Sequence, residues 1–115
     1  MSVDVYSSAC KVGTIHGTGQ IFDVDGIKLG HIFPSGELRD AKGFLIGRVF
    51  PSGIQAENPL FNQLTKNSAN QIVLYGNVIG RMQLAWGNQI PIDQVLFAAG
   101  YLLFQSSSGL GRPQA

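Results

Sequence analysis

The sequence predicts a mainly β fold: an antiparallel meander of short strands in about five 17-residue repeats, completed by an apolar C-terminal segment. Three observations carry this reading. Gly19, Gly36 and Gly53 fall 17 residues apart, as do Gly13, Gly30 and Gly47, and a fixed period is the first feature to read in any chain. Each row is too short for a helix pair and holds two turn signals separated by apolar runs of strand length. The last apolar stretch, by contrast, has no polar face.

Written as rows, GQIFDVDGIKLGHIFPS (19–35) and GELRDAKGFLIGRVFPS (36–52) match at Asp23/Asp40, Gly26/Gly43, Gly30/Gly47, Phe33/Phe50 and both Pro-Ser pairs. KVGTIH (11–16) is a partial row before them, and YGNVIGRMQL (75–84) a partial row after them. Between these, GIQAENPLFNQLTKNSANQ (53–71) is an eroded row, and 58–71 is the one long irregular stretch, the kind of loop that often carries function. D-V-D-G and D-A-K-G place Asp first and Gly fourth in a type I turn. F-P-S-G does the same with proline second, where its fixed φ already suits the turn.

Each strand run also contains a central glycine, which weakens a regular strand. The residues just before it are Val12, Leu29, Ile46 and Ile79, and those two after it are Ile15, Ile32, Val49 and Met82. All are apolar, yet residues three apart in a regular strand face opposite sides. A bulge at the glycine turns both toward one core, as the curved strands of a small barrel or radial sheet require.

In WGNQIPIDQVLFAAGYLLFQ (86–105), Pro91 and Asp93 read as a helix start. The apolar segment 92–104 then fits a short helix, although two further strands also fit. It is too short to span a bilayer, which takes about 20 residues. It is expected either to plug its own sheet or to meet another subunit. Residues 1–105 therefore form one domain, and the Gly/Ser-rich 106–115 reads as a flexible tail.

With 44% hydrophobic and 13% charged residues and a net charge of +1, the chain lacks the basic field that nucleic acid requires. Cys10 is its single cysteine, so no intrachain disulfide or thiolate cluster can form, and the residue reads as a small buried hydrophobe. MSVDVYSSACKVG has neither a basic n-region nor an apolar h-region. The chain as given reads as cytoplasmic, and as exported if a leader has been removed.

Rows of the form G-x-[IL]-x-D-x-x-G-x-x-[IL]-G-x-[IV], followed by Trp86 and the apolar 95–104 run, resemble the small bacterial β-flower proteins. In these, four or five short sheet units are arranged like petals. The matching residues are 19–49, 76–82, Trp86 and 95–104. The resemblance implies a radial β architecture in a family without an established biochemical function. A weaker likeness to PRC-barrel domains, whose strands also use D-x-x-G-x-x-[IV]-G-x-V, implies an assembly module.

Asp23, Asp40 and Glu57 recur at the repeat interval, but turn capping accounts for the first two without a metal. His31, Arg48 and Arg81 follow the central glycines and are expected to line up as a polar stripe, with a solvated face favoured over an anion site. His16 sits elsewhere in its row, which argues against a His pair on a metal. No nucleophile stands in a recognisable elbow or signature, and Gly17-Thr18-Gly19 lacks the following helix that a phosphate loop needs. These residues predict no enzyme, no cofactor and no metal. The leading expectation is a structural or interaction module that forms a homo-oligomer through Leu96, Phe97, Leu102 and Phe104. The alternative is a carbohydrate- or peptide-binding module that uses the 58–71 loop, with Phe61, Trp86, His31, Arg48 and Arg81 as candidate contacts.

Overall fold

The computed structural model describes residues 2–84 and 90–111, with side chains through residue 105. Its first six strands are β1 (Ser2–Ser7), β2 (Cys10–His16), β3 (Gln20–Asp23), β4 (Lys28–Ile32), β5 (Glu37–Asp40) and β6 (Leu45–Phe50). They are followed by β7 (Gly53–Ala56), a 3-10 turn (Pro59–Gln63), β8 (Leu64–Lys66), β9 (Gln71–Leu74), β10 (Asn77–Leu84) and helix α1 (Ile92–Gly111). Every sequential neighbour pairs antiparallel except β7 with β8, and β1 pairs with β10. The result is a nearly closed ten-stranded barrel of five two-strand rows. It is open at one seam, inside the eroded row.

The turn chemistry explains the hairpins. The Asp23 carboxylate accepts from the N–H groups of Asp25 and Ile27, each at 2.9 Å, while the Gly26 N–H donates to the Asp23 carbonyl at 3.0 Å. Asp40, Lys42, Phe44 and Gly43 repeat this arrangement one row later. The segment 67–70 has lost the sequence signal but kept the geometry. Asn67 accepts from the N–H groups of Ala69 and Gln71, and Asn70 takes the glycine's place at φ 58°, a conformation that Asn tolerates better than most side chains.

The two F-P-S-G turns, identical in sequence, close differently. In the first, the Phe33 N–H donates to the Glu37 carbonyl at 2.8 Å, which leaves Leu38 facing inward. In the second, Phe50 pairs directly with Gly53, and the register slips by one residue. The reason lies downstream: the repeat would point Gln55 at the core, and the slip points Ile54 there instead. A one-residue shift exchanges the faces of a strand, so burial of the aliphatic side chain decides the register.

Register breaks occur opposite each central glycine: between Val5 and Tyr6, Ile21 and Phe22, Leu38 and Arg39, and within β10 between Val78 and Gly80. The extra residues are Val12, Leu29, Ile46 and Ile79. All four pack against the core from a half-buried position, as the bulge reading requires.

The apolar segment is a helix rather than two strands, and it runs on through 106–111. It begins where Pro91 accepts from the N–H groups of Gln94 and Val95, with Asp93 in the first turn. Helix α1 packs against strands from all five rows. Near one rim Gln94 donates to the Pro34 carbonyl at 3.2 Å, and deeper in the barrel the Tyr101 hydroxyl donates to the Leu29 carbonyl at 2.9 Å. Strand glycines make room for it: a Cβ on Gly13 would meet Leu102, and one on Gly80 would meet Leu103. In the eroded row the sizes are exchanged, because Leu64 occupies the glycine's repeat position and meets Gly100 of the helix.

Candidate functional site

The eroded row breaks the ring because Asn58-Pro59 starts a 3-10 turn where the other rows make a hairpin. Asn58 caps that turn by accepting from the Leu60 N–H at 3.1 Å, and proline occupies its first position, where a missing N–H costs nothing. Asn62 then reaches back to accept from the Ala56 N–H at 2.9 Å, satisfying part of the β7 edge that lacks a strand partner. Phe61 stands 17 residues after Phe44. Phe44 is exposed on its hairpin tip, whereas Phe61 is folded inward, 5.4 Å from the Phe97 ring and 4.6 Å from Phe104.

Beside this seam lies a groove of about 230 Å³, lined by Leu45, Ile46, Glu57, Asn58, Phe61, Tyr101, Phe104 and Gln105. Leu45, Ile46, Phe61 and Phe104 supply its apolar lining, and Glu57, Asn58, Tyr101 and Gln105 its polar groups. Glu57 is exposed and forms no ion pair among the described residues. Burial first, and then the nearby Asp40 charge, push the Tyr101 hydroxyl above the usual tyrosine range. That hydroxyl therefore stays protonated and committed to the Leu29 carbonyl. The groove can hold an apolar side chain and attract a cationic group, but it contains no nucleophile paired with a base.

The other candidate residues lie elsewhere. Leu96, Phe97 and Leu102 are 6%, 0% and 0% exposed inside the barrel, while Phe104 is half-buried and lines the groove. His31, Arg48 and Arg81 stand at equivalent places on the outer wall, each already engaged. Arg48 pairs with Glu37, which Arg39 also reaches at 3.2 Å. The hydrogen bond from Arg48, helped by the Arg48 charge and then by the hydrogen bond and charge of Arg39, outweighs desolvation and holds the Glu37 carboxyl below its usual range. Arg81 lies 4.1 Å over the Tyr6 ring, and His31 stacks on Phe33 at 4.4 Å. Trp86 lies outside the described residues. Cys10 is exposed at the first hairpin rather than buried, because its row turns over two residues there and leaves it at the strand's end.

Among the described residues no group of His, Cys, Asp and Glu is placed to hold a metal ion, and no helix is long and apolar enough to cross a membrane. Asp23 and Asp40 cap turns, and Glu57 has no such role. Leu45, Ile46, Tyr101 and Gln105 carry no sequence signal for the groove, whereas Asn58-Pro59 is a helix-start signal that could have located its wall.

Partial burial, then the Lys28 charge, lowers the His31 pKa. The folded state therefore resists protonation of His31 more than the unfolded chain does. Stability supplied by the neutral ring is present above the unfolded value of roughly 6.5 and is lost as pH falls through the folded one. Urea midpoints of the wild type should decline below that pH, and His31→Gln should flatten part of the decline. An identical pH slope in the variant would place the titrating group elsewhere.

No family model, curated protein or solved structure matches the chain.

Proposed function

We propose that this protein is a non-enzymatic binding module whose site is the seam groove and whose ligand is a peptide segment bearing an apolar side chain beside a basic one. The observation that supports it best is the break in an otherwise regular ring, which leaves a partly apolar groove beside Glu57, a carboxylate with no ion pair among the described residues. The burial of Leu96, Phe97 and Leu102 moves the reading away from self-association through the C-terminal segment, since those side chains have almost no surface to offer a second chain.

The size of the groove favours a peptide side chain. Small-molecule pockets usually run to ~300–1,000 Å³, and about 230 Å³ suits one or two side chains. Carbohydrate is less well served, because sugars stack on open aromatic faces, and Phe61 is enclosed by Phe97, Tyr101 and Phe104. Glu57 adds a preference for lysine or arginine next to the anchoring residue.

Titrating the isotopically labelled protein with a pool of heptapeptides containing a Leu-Lys or Phe-Lys pair tests this by amide chemical shifts. Shifts should concentrate at Leu45, Ile46, Glu57 and Asn58, and weaken at least fivefold in Glu57→Lys. A chito-oligosaccharide should leave them unmoved. Silence with millimolar peptide, or shifts confined to the His31 wall, would sink the proposal.

A further inference from the structure

The rim formed by the hairpin tips is unusually apolar for surface that meets water. Val24, Ile27, Phe44, Leu45, Tyr75 and Val78 are between 47% and 67% exposed, and all lie at or beside the turns within rows two, three and five. Isolated exposed hydrophobes are ordinary, whereas a contiguous set marks an interaction surface. Rows two and three adjoin through the β4–β5 pairing and place Val24, Ile27, Phe44 and Leu45 on neighbouring tips, while Tyr75 and Val78 lie on a separate tip of the ring.

The neighbouring tips of rows two and three are near copies that differ in charge. Tip two carries Asp23, Asp25 and Lys28, and tip three carries Arg39, Asp40 and Lys42. Asp23 and Asp40 are both occupied in capping their turns, and Arg39 is occupied by Glu37 and the Gly43 carbonyl. Asp25 and Lys42 are exposed and form no ion pair among the described residues. They occupy the same position within their hairpins, since each N–H donates to its own turn's aspartate.

We infer that this rim docks a second copy of the same chain, with tip two of each copy against tip three of the other. A two-fold axis between the tips brings each Asp25 to the partner copy's Lys42 and each Ile27 to the partner copy's Phe44. Residue i then meets residue j twice, as an isologous interface requires. The shorter dimensions of the chain are 31 and 29 Å, so a whole end face offers on the order of 700 Å², and two of its tips offer only part of that; the contact falls below the ~800 Å² per partner of a stable interface, in the range of a weak dimer that dissociates on dilution. A lipid surface fits less well, because the two tips together carry three acids against three bases and have no cationic excess for anionic headgroups.

Molecular mass by light scattering across a dilution series tests this on the full chain. The wild type should be a dimer that dissociates on dilution. Phe44→Glu should abolish it. Asp25→Lys and Lys42→Asp should each raise the dissociation constant about tenfold, since each reversal disturbs two symmetry-related exposed pairs. The double variant Asp25→Lys/Lys42→Asp should return it toward the wild-type value. Because these side chains are exposed, circular dichroism of the variants should match the wild type. A wild type that is monomeric throughout the series would overturn the inference, and so would single reversals that leave the dissociation constant unchanged. Flotation of that monomer with phosphatidylcholine/phosphatidylserine vesicles would assign the rim to lipid instead.

Discussion

Phe97→Ala is expected to destabilise the protein by about 3–5 kcal/mol, the range for emptying a buried aromatic site. The ring is fully enclosed, meets Phe61 edge-on at 5.4 Å, and sits on the helix that fills the barrel. Most of the wall around the helix is a hydrogen-bonded sheet closed by the β1–β10 pairing and resists collapse, although Phe61 itself belongs to the 3-10 turn at the seam. Against the ~5–15 kcal/mol that holds a domain of this size together, such a loss moves the urea midpoint by a large fraction. Phe104→Ala, on the same helix but half-buried, should cost less than half as much. Phe97→Glu should fail to fold, since an unpaired carboxylate would be stranded in the core. Were Phe97 instead an intersubunit contact, Phe97→Glu would yield a folded protein of smaller mass. Denaturation and light scattering on these three variants separate the two cases.

The seam links fold and site through one physical conflict. A strict repeat would put Gln55 inward and give Phe61 the exposed place of Phe44. Slipping the register buries Ile54, and replacing the hairpin with a 3-10 turn buries Phe61. Both changes favour the core, and the second leaves β7 and β8 unpaired with each other. The groove is the space left beside that seam, and Asn62 supplies a hydrogen bond that a strand partner would otherwise have made.

The period, the Asp-to-Gly turns and the bulges before the central glycines were legible in the chain because each rests on local chemistry: an Asx cap, a residue tolerant of positive φ, an aliphatic pair three apart. The turn at 67–70 was not legible, since Asn67 and Asn70 do the work of Asp and Gly without matching them. Closure of the ring depends on β1 meeting β10 across most of the sequence, and no local pattern announces it. The apolar helix was legible as a buried element. Whether it filled its own barrel or an interface was not, because both environments ask for the same side chains. Leu45, Ile46 and Tyr101 come together at the groove only through the seam, so their residue types read as ordinary strand and helix positions.

The second large effect concerns the space between strand and helix. A Cβ on Gly80 would lie 2.6 Å from the Tyr6 carbonyl oxygen and 2.8 Å from Leu103 Cδ1. The first obstacle is the backbone of the paired strand and the second is the helix, so neither a rotamer change nor a small helix shift clears both. Overpacking usually costs ~1–3 kcal/mol, and Gly80→Ala is expected at the top of that range. Gly26→Ala is the control: its φ is +83° with nothing within 4 Å of the added atom, so only the left-handed backbone penalty of about 1 kcal/mol applies. Leu103→Ala should recover only part of the Gly80→Ala loss when combined with it, because the Tyr6 carbonyl remains in the way; contact between the two sites makes that non-additivity the direct measure of helix-to-strand approach. Urea midpoints for the four variants decide the matter. If Gly80→Ala costs no more than Gly26→Ala, the helix does not press on β10. Full recovery in the double variant would mean that the strand gives way and only the helix contact limits the site.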